Sequence, residues 1–314
     1  MTIVRPASGT IREAAGILRS GGLVAFPTET VYGLGANALD PGAVGKIFEA
    51  KGRPQDNPLI LHISDIEEAA RLAETNRTAE SLMVRFWPGP LTVVLRSRDV
   101  VPSVTRAGLE TVALRMPDND IALELIREAG VPVAAPSANR SGRPSPTTAA
   151  AVQNDLGNFV DMIIDGGPAS IGVESTVIDV TGGAVTILRP GGVTREMLSS
   201  VTEVSPCAGD EIKRRSPGTR HRHYAPNIPL ILWRSGDAPS VVCGVKWCYM
   251  GITPPPPGAF KTAMFRSMDE YAHCLFSALR DLESTGASAI LAELPEDSGL
   301  GSAVRNRLMR AAGA

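Results

Sequence analysis

Residues 10–32 read TIREAAGILRSGGLVAFPTETVY, and this stretch sets the fold class. Ile11, Ala14, Ala15 and Leu18 recur at helical spacing and share one face. Thr10 with Glu13 fits a capping box, and Gly21-Gly22 can stop the helix. Residues 23–26 form a short apolar run closed by Pro27, which marks a buried strand. A helix followed by a buried strand is the repeating unit of an α/β sheet.

The alternation continues outward. Asp40 before Pro41 predicts an N-cap and first turn, Val44, Ile47 and Phe48 give that helix its core face, and Gly52 ends it. Strands are predicted over 59–63, 91–95, 111–114, 131–135, 162–164, 176–180 and 185–188, and helices over 65–74 and 121–128. The close spacing from 162 to 188 predicts a partly antiparallel, mixed sheet. Apolar periodicity fades after residue 202. The stretch EIKRRSPGTRHRHYAPN, 211–227, holds five Lys or Arg against one Glu and reads as a basic linker. Order resumes at Ile228, with strands in IPLILW and VVCGVKWCYMGI, helices over 271–282 and 303–312, and a strand over 289–294. The expected organisation is a first α/β domain over 1–204, a linker over 205–227 and a smaller α/β domain over 228–314.

Composition removes several classes of function. Hydrophobic residues are 43% of the 314, enough for a large core. A net charge of −2 excludes a generally basic nucleic-acid coat. No apolar run nears the ~20 residues of a membrane span, and the N-terminus has no signal-peptide pattern, so the reading is a soluble cytoplasmic protein. Cys207, Cys243, Cys248 and Cys274 form no C-x-x-C pair, which argues for reduced, buried thiols rather than disulfides or structural zinc. The phosphate-loop, dinucleotide, zinc-protease and nucleophile-elbow motifs are all missing.

Polar residues gather instead at the exits of the apolar strands: residues 27–32 after the first, Arg115 after the 111–114 strand, residues 136–142 after the 131–135 strand, and Arg189 closing the last. Lys51 and Arg53 follow a helix end. Ligands of open α/β sheets bind outside strand ends. Arg, Lys and small hydroxyl residues there suit an anionic ligand such as a nucleotide with a small acid. Each residue alone also has a plain structural reading. Lys51 complements a helix dipole, Thr28, Ser137 and Asn139 are turn formers, and His62 is a strand histidine facing away from Leu61 and Ile63.

The strings FPTETVYGLGANA, KGRPQDNPL, WPGPLT, LRMP, APSANRSGRPSPT, ESTVID, ILRPG and SPGTRHRHYAP occur in this order over residues 26–226. Together they resemble the YrdC-domain family, in its long two-domain form of threonylcarbamoyl-AMP synthases. GLGSAVRNRLMRAA at 299–312 is similar to the C-terminal helix of that form. The resemblance implies a twisted, open mixed sheet with a concave positive cavity, followed by a smaller Rossmann-like α/β domain. It implies synthesis of L-threonylcarbamoyladenylate from L-threonine, bicarbonate or CO2, and ATP, with release of pyrophosphate. Mg2+ would come with ATP, and no organic cofactor is implied. The product would feed threonylcarbamoyladenosine formation beside the tRNA anticodon, through a downstream threonylcarbamoyl-transferase.

Residue by residue, the resemblance makes Lys51, Arg53, Ser137 and Asn139 the signature catalytic set. Lys51, Thr111, Ser137, Ser145, Arg189 and Tyr224 would hold ATP, Tyr224 closing over it from the linker. Thr28, Tyr32, His62, Arg115 and Ser175 would hold threonine, Arg115 pairing with its carboxylate. The linker departs from the family pattern at Thr219 and His221. The competing readings are a non-catalytic tRNA- or rRNA-binding protein, disfavoured by 4% aromatic content, and a carbamoyl transferase of the hydrogenase-maturation type, disfavoured by the missing cysteine pairs. An adaptor role for the second domain stays compatible with either.

Overall fold

The computed structural model describes residues 2–182, 184–205, 223–237 and 244–314. It opens with β1 (Thr2–Val4), α1 (Ser8–Arg19), β2 (Val24–Phe26) and β3 (Gly33–Asn37). The predicted face of α1 is buried, but the helix begins earlier than the capping box placed it. Ala7 is the N-cap without a side-chain bond, and Thr10 and Glu13 lie inside the helix. β3 was not anticipated, because GLGAN lacks the branched residues of a strand. Its glycines are there for contact: a Cβ on Gly35 would stand 2.8 Å from the Phe26 ring and 2.9 Å from Val133.

Then follow α2 (Pro41–Lys51) and β4 (Ile60–His62). Asp40 caps α2 by accepting from Gly42 N, and Gly52 closes it in the left-handed region at φ 60°, as the sequence predicted. The helix predicted over 65–74 is instead a 3-10 turn (Ile66–Glu68), a short α3 (Ala69–Leu72) and β5 (Ala73–Glu74). Pairing of Ala73 and Glu74 with Ser97 and Arg96 outcompetes the helix. The remaining elements of the first sheet are α4 (Arg77–Phe86), β6 (Leu91–Ser97), β7 (Thr111–Arg115), α5 (Asp120–Ala129), β8 (Val133–Ala134), α6 (Ala149–Leu156), β9 (Met162–Ile164), β10 (Thr176–Asp179), β11 (Val185–Arg189), α7 (Arg195–Ser199) and β12 (Val204–Ser205). The strands form one mixed sheet in the order β1-β9-β2-β3-β8-β4-β7-β6-β10-β11-β12, with β5 beside β6.

A second sheet is wholly parallel: β13 (Leu230–Trp233), β16 (Ala289–Glu293), β14 (Trp247–Gly251) and β15 (Lys261–Met264), in that order. Its helices are α8 (Met268–Glu283) and α9 (Gly299–Ala312). A parallel α/β sheet agrees with the Rossmann-like expectation, and β15 is an unanticipated edge strand. Cys248 is buried and Cys274 half-buried, both free, whereas Cys207 and Cys243 lie outside the described residues. So do most of the basic linker, Thr219 and His221. Among the described residues no helix is long and apolar enough to cross a membrane.

Strand alternation separates core from site. In β7, Val112 and Leu114 join the main core, as do Leu61 of β4, Val93 of β6 and Ile178 of β10. The opposite, concave face carries Ile60, Val94, Ala113, Val177 and Leu188 as an apolar floor. By the two-residue period, His62, Arg115 and Thr92 share that face. A register shift between Val177 and Ile178 puts a bulge where β10 meets β11. Two residues then oppose one, which turns both Leu188 and Arg189 to the concave side.

Candidate active site

A small cavity opens on the concave face, walled by the strand exits, where ligands of α/β sheets bind. Of the residues nominated from the sequence, Thr28, Arg53, His62, Arg115, Ser137, Ser175, Arg189 and Tyr224 line it. Lys51, Asn139, Ser145, Tyr32 and Thr111 do not line it and are buried in or near its walls.

The loop after β8 is built by Lys51 and Asn139. Lys51 Nζ donates to the carbonyl oxygens of Ser137 and Asn139, both at 2.5 Å. Asn139 accepts from Ser137 Oγ at 2.5 Å and donates to Arg140 O and Arg143 O. Burial, then the neighbouring Arg53 guanidinium, holds the Lys51 amine well below its ordinary pKa. Arg53 donates to Asn57 O and Pro58 O, and burial brings it down to about 10. Thr28 fulfils both of its readings. It caps its own turn, donating to Val31 O and accepting from Thr30 N, and it faces the cavity. Tyr32 OH donates to Gly167 O at 2.6 Å, so it ties two loops together.

At the far end of β4 and β7, His62 sits beside Arg115 in register. His62 packs edge-on to Phe26, and its buried Nδ1 has no hydrogen-bond partner. Burial and Arg115 lower its pKa to about 3, so the imidazole is neutral. Arg115 Nη2 stands 2.6 Å from Glu29 Oε2, both side chains buried. Neither oxygen of Glu29 has an aligned hydrogen bond, so this is a close charge pair rather than a fork. Thr111 begins β7, four residues and roughly 13 Å of strand from Arg115.

The third wall is β10 and β11. Arg189 donates to Ser175 O and Oγ, and Ser175 Oγ meets Thr92 Oγ1 at 2.8 Å. Ser145 Oγ donates to Glu174 Oε1 at 2.5 Å. Burial would raise the Glu174 carboxyl, but Arg307 and Arg189, with hydrogen bonds from Ser145 and Arg307, bring it down to about 2. Tyr224 covers this wall from the linker. It is buried, stacks on Phe276 at 5.3 Å, and has a left-handed φ of 68°. A non-glycine residue there is strained, and the neighbouring Ala225 N fastens the strand of chain to Gly142 O. His223 beside it is buried and lowered to about 3 by burial and Arg53.

Sequence reasoning passed over Glu29, Glu174, His223 and Arg307. The first three stand inside quoted motifs, where attention fell on cations and hydroxyls. Arg307 had a signal of its own: it occupies the apolar stripe of α9 with Val304, Leu308 and Ala311.

Three guanidiniums, neutral histidines and hydroxyls on a concave mixed sheet define an α/β protein whose cavity suits an anionic small ligand. Comparison with known proteins narrows this class. A family model described as "Telomere recombination" matches residues 16–191, and one described as "Threonylcarbamoyl-AMP synthase, C-terminal domain" matches residues 193–313. The chain is 47% identical to the threonylcarbamoyl-AMP synthase of Pyrococcus abyssi, over 96% of this chain and 94% of the other. It is 44% identical to that of Bacillus subtilis, over 96% and 93%. The crystal structure of P. abyssi Sua5 complexed with L-threonine superposes with a TM-score of 0.90 at 46% identity, covering 99% of this chain and 96% of that one. The chain belongs to the Sua5/YciO/YrdC family, in the form that carries the threonylcarbamoyl-AMP synthase C-terminal domain.

Proposed function

We propose that this protein is a threonylcarbamoyl-AMP synthase: from L-threonine, bicarbonate or CO2, and ATP it forms L-threonylcarbamoyladenylate and releases pyrophosphate. The observation that carries this reading from the structure is the convergence of Arg53, Arg115 and Arg189 on one cavity. The similarity to two synthases over nearly the whole chain supports it, and so does the threonine complex of a close structural relative.

The chemistry asks for position and charge more than for a protein nucleophile. Threonine's amine and CO2 form a carbamate. A carbamate oxygen then bonds to the α-phosphorus of ATP while the bond to the bridging oxygen breaks and pyrophosphate departs. In this reading the transferred group is a nucleotidyl group. Arg115 holds the threonine carboxylate, and His62, with Thr28 and Ser175, orients the rest of the amino acid. Arg189, Ser137 and Tyr224 hold ATP from the cavity lining, Ser145 and Thr111, which do not line it, are assigned to ATP by the family resemblance alone, and Arg53 with the loop set by Lys51 and Asn139 stabilises charge on phosphate oxygen. Glu174 is bonded to Ser145 and Arg307. In this reading Mg2+ comes with the substrate, as MgATP. The labile product goes on to a tRNA threonylcarbamoyl-transferase.

Pyrophosphate release tests the reading. Release from ATP is expected only when threonine and bicarbonate are both present. Release indifferent to threonine, or none at all, would mean that the fold serves different chemistry.

A further inference from the structure

We propose that Arg307, on the last helix of the C-terminal sheet, is a positioning residue of the nucleotide subsite: it neutralises Glu174, so that a buried carboxylate can stand in the wall of a polyanion site.

Arg307 is fully buried although it comes from the other sheet. Its Nε donates to Glu174 Oε2 at 2.8 Å and its Nη1 to Pro190 O at 2.7 Å. Its guanidinium carbon stands 5.5 Å from the Tyr224 ring. Glu174 is a cavity-lining residue. The groups around it are Arg307 and Arg310 from α9, Arg189 from β11, Ser145 from the loop before α6, and His223 and Tyr224 from the linker. His223 and Tyr224 carry no charge here, so the arginines answer the carboxylate. Arg189 is needed elsewhere, because it braces Ser175 and faces the cavity. Arg307 makes the direct bond.

A buried carboxylate without its partner is strongly destabilising and repels a second anion in the same cavity. With Arg307 in place the carboxylate is paired, and Ser145 is held by an acceptor that does not oppose phosphate. Pro190 lies between Arg189 and Gly191, so the same guanidinium also fixes the exit of β11. The C-terminal sheet therefore completes the site chemically, through one side chain, rather than only shielding it.

The inference rests on ATP being the polyanion. Full-length wild type, R307Q, R307K, E174Q and the double variant E174Q/R307Q would be compared for ATP binding by calorimetry. Pyrophosphate release would be followed against ATP and against threonine. R307Q should raise the ATP KM about tenfold or more, with kcat and the threonine KM within about threefold. R307K, which keeps the charge, and E174Q/R307Q, which removes both charges, should return the ATP KM to within about threefold of wild type. The double variant buries no unpaired charge, so it remains informative if R307Q fails to fold. An unchanged ATP KM in folded R307Q would overturn the inference, as would a double variant that binds ATP as poorly as R307Q or worse. Wild type that neither binds ATP nor releases pyrophosphate would instead overturn the functional reading.

Discussion

Arg115 shows how a single side chain serves core and site together. Its Nε donates to Gly89 O at 3.3 Å and its Nη2 faces Glu29, while the side chain lines the cavity. Glu29 thus fixes where the guanidinium points. In the proposed role of Arg115, Arg115→Ala would lose the partner of threonine's carboxylate and leave Glu29 buried and unpaired, a loss of about 2–5 kcal/mol for such pairs. The threonine KM should rise about a hundredfold, read from pyrophosphate release against threonine concentration, while the ATP KM moves little. An unchanged threonine KM would remove Arg115 from that role. Arginine at a strand exit was legible in the sequence, since an unneeded cation there is costly to keep dry. Its acidic counterpart was not, because nothing in PTET tells a buried Glu from a solvated one. The same holds for Lys51. A cation at a helix end complements the dipole in any protein, and only the fold reveals that its amine reaches Ser137 and Asn139.

Among elements, β10 and β11 do the most to aim functional groups, and their junction depends on Gly191. A Cβ there would lie 2.3 Å from Glu174 O and 2.3 Å from Thr176 N. Both neighbours are backbone, Thr176 in paired β10 and Glu174 two residues before it, so neither can move cheaply. Gly191→Ala should destabilise by about 1–3 kcal/mol, as overpacked cores do, seen in chemical denaturation. It should also lower pyrophosphate release, because Glu174, Ser175 and Arg189 shift together; activity equal to wild type would show that this junction does not aim the site. Elements with strong periodicity, such as α2 or α5, were legible because burial of one face decides them. β3 and the 65–74 segment were not. In β3 close packing against Phe26 and Val133 demands glycines that erase the strand pattern. At Ala73 and Glu74 a partner strand, invisible locally, decides the conformation. The bulge that turns Arg189 inward likewise arises from pairing between two strands, so the sequence of either alone does not announce it.

At the scale of the molecule, the second sheet seals the first. Phe276 stacks on Tyr224, Arg280 pairs with Asp155 at 2.6 Å, and Arg143 pairs with Glu283. One apolar cluster runs from Val31 and Val173 of the site loops into α8 and α9. The existence of a second α/β unit was readable from apolar runs, whereas its contact with the site was not, since that contact depends on buried charge. Burial of titratable groups makes the protein's stability sensitive to acid. His62 and His223 are neutral when folded, lowered from 6.5 to about 3 chiefly by burial. Unfolded, they take up protons from about pH 6.5 downward, so the unfolded state binds more protons and stability falls with pH between 6.5 and 3. At pH 5 the loss is on the order of 2 kcal/mol per histidine. Glu174, lowered from 4.5 to about 2, adds a loss of the same sign only below 4.5. Asp118, raised by burial and by Glu29, works the other way above its ordinary value and offsets part of this. Lys51, also held well below its ordinary value by burial, adds a loss of the same sign, and the histidines carry the part of the slope between pH 7 and 5 that their substitution removes. Denaturant midpoints should drop steadily over that range in wild type. His62→Gln and His223→Gln should each flatten the slope, and a slope unchanged in both would show that neither imidazole is held neutral by the sealed cavity.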